Sequence, residues 1–352
     1  MTHLWVRSEQ RDNEKRTPLT PEGAKTLLEQ GLRVSVEESP HRILPIAEFK
    51  AAGCEIVAQK SWTKAPDNAI ILGLKELPED GTALRHRHIM FGHAFKGQHS
   101  GAALLKRFKA GQGTLYDLEY LTDEAGKRVA AFGYWAGYVG AAVSLKCWHA
   151  QKQGETCPAL TPYQGQEHLL SDLKQDLNAI ASHPRPTALV IGALGRVGRG
   201  ASDLCTAMNL AVTQWDIKET AHGGPFPEIL EHDLFFNCIL ATPEAPVFVD
   251  KSALTRARRL SVIGDIACDP DSDYNPIPIY RSATTWAKPA LTVADPPRLD
   301  VMAIDNLPSL LPLESSQDFA AQLLPWLMKL DKLSAGVWSR AETVFKHKVR
   351  EV

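Results

Sequence analysis

The sequence predicts an α/β protein with two domains, each built on a mostly parallel sheet, and a cleft for substrate and cofactor between the domains. The chain has 352 residues, and at roughly 150 residues per domain this length favours two domains. Short apolar runs alternate with helical patterns in both halves, which is typical of parallel sheets. We expect residues 1–130 and about 318–352 to form one domain and residues 131–317 the other.

In the first domain, four short apolar runs predict strands, at residues 32–36, 55–58, 69–74 and 88–95. Helical patterns lie between strands at residues 21–30 and 46–52. Because strand and helix alternate, we expect a parallel sheet here.

In the second domain, β-rich runs predict further strands, at residues 187–191, 210–216, 233–240 and 259–265. Near the C terminus, Ser315 or Ser316 can cap a helix, and Pro325 inside that helix predicts a kink. We expect this tail to return and pack on the first domain.

The charge balance and cysteine pattern exclude several classes of protein. Lys and Arg total 39 and Asp and Glu total 41, a net charge of -2, so nucleic acid is not an expected partner. The six cysteines are scattered without a Cys-x-x-Cys pair, and residues 1–14 are charged rather than apolar. Both observations favour the reducing cytoplasm.

Residues 129–145 carry no charge, a property shared with membrane-spanning segments. The segment is short for a span and rich in Gly, Ser and Tyr. A buried helix between the domains is therefore the preferred interpretation, and no membrane association is expected.

A glycine-rich turn follows the strand predicted at residues 187–191. Its pattern is Gly-x-x-Gly-x-x-Gly, with glycines at 192, 195 and 198, and a helical pattern follows. Asp216 comes 18 positions after Gly198 and ends the next strand, where a carboxylate can bind ribose hydroxyls and repel a 2′-phosphate. The arrangement predicts a Rossmann-like domain that binds NAD in preference to NADP, although a plain β–α turn stays possible.

Two ionisable residues directly follow strands of the first domain. Lys75 follows the run at 69–74, and His93 closes the apolar residues that begin at 88. Because ligands bind beyond the carboxyl ends of parallel strands, Lys75 and His93 are candidates for an acid–base pair. The alternative for each is a solvated loop residue.

Two segments partly match metal-binding patterns, and neither has the residues that a metal site needs. Histidines 86, 88, 93 and 99 are close in sequence, but Arg85 and Arg87 alternate with the first two and repel a cation. The calcium-like run that begins at Asp269 has Tyr274 where the loop needs Gly. We expect no metal.

Arg16 and Arg128 each adjoin an unusual local sequence, a Pro-rich turn and the uncharged segment respectively. Guanidinium groups bind carboxylates through two parallel hydrogen bonds, so the two arginines would suit a polycarboxylate substrate. Taken singly, each arginine could equally be a surface residue or a partner in an ordinary ion pair.

Motifs throughout the chain resemble those of the NAD-dependent, L-lysine-forming saccharopine dehydrogenases. They are RTPLTP at 16–21, ILGLKELP at 71–78, GTLYDLE at 113–119, RVAAFG at 128–133, IGALGR at 191–196, WDIKET at 215–220, GGPF at 223–226, NPIPIY at 275–280 and IDNLPSLLP at 304–312. The resemblance implies reversible oxidative cleavage of saccharopine by NAD and water to L-lysine and 2-oxoglutarate, the last step of the aminoadipate route of lysine biosynthesis. It also implies that the first domain is catalytic and the second binds NAD.

The resemblance also implies roles for individual residues. Lys75 would take the proton of the secondary amine, and His93 would serve water addition and carbinolamine collapse. Glu76 and Glu119 would modulate Lys75. The residues implied for substrate binding are Arg16, Gln98, Arg128 and Phe132, and those for NAD are Gly195, Arg196, Asp216, Thr220, Leu240, Ile266, Ile304, Asp305, Asn306 and Leu307. We expect a monomer that acts on small molecules.

Two other functions stay open. The pattern Arg-x-x-Leu-Thr-Pro at residues 16–21 is also similar to alanine dehydrogenase. A non-catalytic NAD-binding module is the third possibility, but such a module would not need both Lys75 and His93.

Overall fold

The computed structural model describes residues 1–11, 13–95 and 99–352, apart from the side chain of His99. The chain forms two compact units. The first contains Met1–Ala131 and Pro312–Val352, and the second contains Phe132–Leu311. The chain re-enters the first unit at Pro312, whereas the sequence places this point at about residue 318.

The first unit contains a six-stranded sheet in which all strands are parallel, in the order β3-β2-β1-β4-β5-β6. The elements before the second unit are β1 His3–Val6, α1 Pro21–Glu29, β2 Arg33–Glu37, α2 Ile46–Ala51, β3 Glu55–Val57, β4 Ala69–Leu72, β5 Arg87–Met90, α3 His99–Gly111 and β6 Thr114–Asp117. The parallel α/β prediction is confirmed. Strands β1 and β6 were not predicted, and the run predicted at 88–95 leaves the sheet after Met90.

Local signals explain how α1 begins. Pro21 occupies the first helical turn, and the Thr20 hydroxyl accepts a hydrogen bond from the Gly23 amide at 3.1 Å. Proline needs no hydrogen-bond acceptor there, and the threonine satisfies one of the amides that the first turn leaves without a partner.

The second unit also contains a six-stranded sheet, in the order β11-β12-β10-β9-β7-β8, in which only β11 is antiparallel to its neighbour. Its elements are α4 Gly133–Lys152, α5 Gln166–Ala179, β7 Thr187–Ile191, α6 Arg196–Ala207, β8 Ala211–Trp215, α7 Ile217–Thr220, β9 Leu234–Asn237, β10 Val262–Asp265, β11 Leu291–Ala294 and β12 Leu299–Met302. Alternate residues face opposite cores: Val190 and Phe236 pack on one side, and Leu189 and Phe235 on the other.

The uncharged segment forms part of α4, which packs against α6 in the second unit. A Cβ on Gly137 would lie 3.0 Å from the Ala201 amide nitrogen, and one on Gly200 would lie 2.9 Å from the Tyr138 nitrogen. Glycine at both positions therefore allows the two helices to approach closely. Within the described residues, no helix is long and apolar enough to cross a membrane.

The C-terminal tail belongs to the first unit and contains α8 Pro312–Leu327 and α9 Gly336–Arg350. The prediction that Ser315 or Ser316 caps α8 is wrong, since the helix begins at Pro312. Ser316 lies one turn inside, where its hydroxyl donates to the Pro312 carbonyl at 2.6 Å and accepts from the Thr17 amide at 3.0 Å. Helix α9 packs on β6, with the rings of Tyr116 and Trp338 5.6 Å apart.

Candidate active site

The carboxyl edge of the first unit's sheet brings several polar residues onto neighbouring strands. Lys75 follows β4 and His93 follows β5, at the positions that the sequence predicts. Glu9 follows β1, and Asp117 ends β6. Because these four strands are adjacent and parallel, their carboxyl ends meet at one edge, where α/β proteins bind ligands.

Lys75 is half-buried among carboxylates. Burial favours a higher pKa for Glu14, but the charge and hydrogen bonds of Arg16 and the charge of Lys75 bring that pKa below its usual value. Burial likewise acts upward on Glu76, yet its hydrogen bond to Arg11 and the nearby Lys75 lower its pKa. Both carboxylates are therefore ionised at neutral pH, and both would stabilise the charge that Lys75 gains on accepting a proton.

His93 is exposed and has a left-handed backbone, with φ of 47°. Its ring stacks on that of Phe91, with centroids 6.2 Å apart and planes 17° from parallel. A non-glycine residue in this conformation is strained by about 1–3 kcal/mol and persists only where its surroundings hold it. His93, which is exposed, lies just beyond the carboxyl end of β5.

Arg16 is buried and forms a two-pronged ion pair with Glu14. Its Nε donates to Oε1 at 2.8 Å and its Nη2 to Oε2 at 2.6 Å, and the residue is only 3% exposed. A ligand carboxylate at this position would therefore meet a guanidinium whose charge Glu14 already balances.

Arg128 differs from Arg16 in being accessible. Its side chain is 41% exposed, and its Nη2 lies 3.8 Å from Oε1 of Glu119, which is longer than a hydrogen bond. The backbone of Arg128 pairs with that of Thr122. Phe132 lies immediately before α4, in the second unit. Gln98 lies outside the described residues.

The glycine turn of the second unit connects β7 to α6. Gly192 has φ of 86°, Gly195 is the N-terminal cap of α6, and a Cβ on Gly198 would lie 2.6 Å from the Ala193 Cα. Glycine at these positions lets the backbone turn tightly from β7 into α6, and the N terminus of the helix after such a turn is where dinucleotide-binding folds place the pyrophosphate.

Beside this turn lies a cavity of about 580 Å³. Four of the residues predicted to bind NAD line it: Gly195, Asp216, Thr220 and Leu240. Asp216 Oδ2 accepts from the Leu194 amide at 3.0 Å, which fixes its carboxylate next to the turn. The volume, the N terminus of α6 and the carboxylate of Asp216 fit a dinucleotide.

The structure does not bring the other predicted NAD residues into this cavity. Arg196 begins α6, Ile266 directly follows β10, and the remainder follow β12: Ile304, Asp305, Asn306 and Leu307. Ile266, Ile304 and Leu307 are buried. These three residues follow the carboxyl ends of β10 and β12, which belong to the same sheet as β7.

The cavity also contains residues that sequence reasoning missed, among them Ile217, Ile239, Glu244 and Phe248. Ile217 is 82% exposed and directly follows Asp216, so position after a strand could have indicated it. The same signal applies to Ile239, which comes two residues after β9.

The sequence of this chain is similar to those of known dehydrogenases. The family model "Alanine dehydrogenase/PNT, N-terminal domain" matches residues 5–139. The chain is 43% identical to saccharopine dehydrogenase [NAD(+), L-lysine-forming] of Yarrowia lipolytica, over 99% of this chain and 98% of the relative. It is 45% identical to the protein of the same name from Emericella nidulans, over 98% and 97%.

A solved structure of an L-alanine dehydrogenase is similar in fold. It has a TM-score of 0.68 at 16% identity, covering 98% of this chain and 99% of that one. The likeness supports the α/β architecture with mostly parallel sheets.

Proposed function

Because the chain belongs to the family of NAD-dependent, L-lysine-forming saccharopine dehydrogenases, we propose that it reversibly converts L-saccharopine, NAD and water to L-lysine, 2-oxoglutarate and NADH. In the direction of synthesis this is the last step of the aminoadipate route to lysine. The observation that carries the proposal is identity above 40% over almost the whole chain. The positions of Lys75 and His93, just after the adjacent strands β4 and β5, support it.

Two groups are needed because the reaction moves several protons around one nitrogen and one oxygen. When bound, NAD accepts the hydride that leaves the carbon beside the secondary amine. Lys75 takes the proton from that amine, which leaves an imine. His93 takes a proton from the water that adds to the imine carbon and passes it to nitrogen. It then takes the proton of the new hydroxyl group and passes it to nitrogen, so that the C=O bond forms as the C–N bond breaks. Lysine and 2-oxoglutarate result.

The binding residues divide between the two units. For saccharopine, which carries three carboxylates, we propose Arg16, Gln98, Arg128 and Phe132 as binding residues, with Arg128 supplying the accessible guanidinium. For NAD we propose the turn at Gly195 and Arg196 and the ribose contact at Asp216. The remaining proposed NAD contacts are Thr220, Leu240, Ile266, Ile304, Asp305, Asn306 and Leu307.

We place the protein in the cytoplasm as a monomer with small-molecule ligands, and not on nucleic acid or a membrane. All six cysteines fall in the described part of the chain and are free thiols, which suits a reducing compartment. Gel filtration at two concentrations tests the monomer.

The decisive experiment follows NADH oxidation with defined partner pairs. We expect turnover when L-lysine and 2-oxoglutarate are both present and none when either is omitted. Turnover with pyruvate and ammonia would instead favour alanine dehydrogenase, a candidate that the family match at residues 5–139 supports. NAD binding without turnover of either pair would indicate a binding module.

A further inference from the structure

A buried ion pair follows β1, directly beside Lys75. The side chains of Arg7 and Glu9 are 1% and 6% exposed, and Arg7 Nη1 lies 3.3 Å from Glu9 Oε2. Strands β1 and β4 are neighbours, and the Arg7 amide continues their pairing by donating to the Leu72 carbonyl at 3.0 Å. The pair therefore lies against the segment through which β4 leads into Lys75.

Both charged groups of this pair hold the backbone of Lys75. Glu9 Oε1 accepts from the Leu74 amide at 2.7 Å, and Oε2 accepts from the Lys75 amide at 2.9 Å. On the other side of the residue, Arg7 Nη2 donates to the Lys75 carbonyl. One residue is thus held at its amide by a carboxylate and at its carbonyl by a guanidinium.

Gly73 allows this arrangement. A Cβ there would lie 2.5 Å from Arg7 Cζ and 2.7 Å from Nη2, so the guanidinium rests directly on the backbone of residue 73. That close position also accounts for Arg7 Nε, which is buried without a hydrogen-bond partner among the described residues. Any side chain at position 73 would displace the group that holds Lys75.

Burying two charges is costly, and such a pair often adds little to stability compared with apolar residues. Here the Arg7–Glu9 pair makes three hydrogen bonds to the backbone of Lys75 and Leu74. The geometry points to Arg7 and Glu9 as positioning residues that fix the Lys75 backbone, and hence the origin of its side chain, relative to substrate. This inference rests on the proposed function of Lys75.

The first test is Glu9→Gln, which keeps shape but leaves only one acceptor for two amides. We expect kcat with lysine and 2-oxoglutarate to fall about 10- to 100-fold, since displacing a reacting group by about 1 Å can cost a hundredfold. KM for NADH stays within twofold, and the pH profile of kcat shifts because the displaced lysine meets different charges.

Asp233→Asn is the matched control. Asp233 lies in the second unit and accepts hydrogen bonds from the Thr187 amide at 2.9 Å and from Arg259 at 2.8 Å. Like Glu9, it is therefore a carboxylate that contacts both a backbone amide and an arginine. We expect a lower melting temperature with unchanged kcat and pH profile. If Glu9→Gln behaves in the same way, Glu9 is merely structural and the inference is overturned.

Gly73→Ala disturbs the same contacts without changing any charge, and it should also lower kcat about tenfold or more. Hydrogen exchange gives a readout independent of activity: in the wild-type protein the amides of Leu74 and Lys75 should be protected, and Glu9→Gln should speed their exchange at least tenfold. Unprotected amides in folded wild type would overturn the inference even if Glu9→Gln fails to fold. Absence of wild-type turnover with protected amides would contradict the proposed function alone.

Discussion

Asp117, at the end of β6, accepts a hydrogen bond from the backbone amide of Gly92, with 3.2 Å between Oδ2 and nitrogen. The same carboxylate accepts from the Glu119 amide through Oδ1 at 2.9 Å. His93, which has a left-handed backbone, directly follows Gly92. A buried carboxylate on a neighbouring strand thus holds the amide of the residue before His93, and Glu9 in a similar way holds the amides of Leu74 and Lys75.

Gly92→Ala tests this relationship. A Cβ there would lie 2.6 Å from Cδ2 of the buried Leu115 and 3.0 Å from Asp117 Oδ2, so the added methyl disturbs the contact between Asp117 and the residue before His93. We expect kcat to fall about tenfold or more with little change in KM for NADH, measured by NADH oxidation. Gly23→Ala on α1 is the control. Unchanged kcat in a folded Gly92→Ala protein would show that the loop geometry does not matter.

Lys75→Met removes the proposed proton acceptor and keeps much of the side chain's length. Because general acid–base groups contribute roughly 10²- to 10⁴-fold, kcat should fall by that order while KM for the substrates changes far less. Initial rates over a range of lysine and 2-oxoglutarate concentrations separate the two constants. The matched control is Lys25→Met on the exposed face of α1. A normal kcat would remove Lys75 from the mechanism.

Arg128→Ala should act mainly on affinity for the dicarboxylate. Its side chain is 41% exposed, so a ligand can reach its charge. We expect KM for 2-oxoglutarate to rise about tenfold or more, because a charged hydrogen bond is worth roughly 1.5–3 kcal/mol. KM for NADH serves as the internal control. Weakened NADH binding alone would contradict the role.

Sequence reasoning found the residues whose signal is local. Lys75, His93 and Asp216 each come at or just after an apolar run, so position alone indicated them. It missed Glu9 and Asp117, whose partners are backbone amides 65 and 25 residues away. It also missed β1 and β6, which have only four residues each and no alternating pattern, because nearly every position is buried. Such contacts depend on strand order, which periodicity does not reveal.

Asp216→Ser should change the choice of cofactor. The Asp216 carboxylate lines the cavity and is fixed by the Leu194 amide, and its charge would repel a 2′-phosphate. We expect KM for NADH to rise and KM for NADPH to fall, so that the ratio of the two kcat/KM values moves at least tenfold toward NADPH. Glu231→Gln, an exposed carboxylate outside the cavity, is the control. An unchanged ratio would show that another group discriminates the cofactors.

The last prediction concerns His88, whose ring is buried between Trp62 and Phe108, with centroids 5.3 and 5.4 Å away. Within the described residues, neither ring nitrogen has a hydrogen-bond partner. Burial, helped by the charge of Arg7, holds the pKa of His88 well below its usual value. The folded protein therefore keeps this imidazole neutral while the unfolded chain gains a proton below about pH 6.5.

Since the unfolded state then binds more protons, the free energy of unfolding falls as pH drops through that range, by up to about 1.4 kcal/mol per pH unit for this one group. His88→Phe removes this titration. The free energy of unfolding of the variant minus that of wild type, measured with urea, should therefore be more positive at pH 5.5 than at pH 7.5. His3 and His86, whose pKa values burial also lowers, leave some acid sensitivity in the variant. An equal pH dependence in both proteins would show that His88 does not govern acid stability.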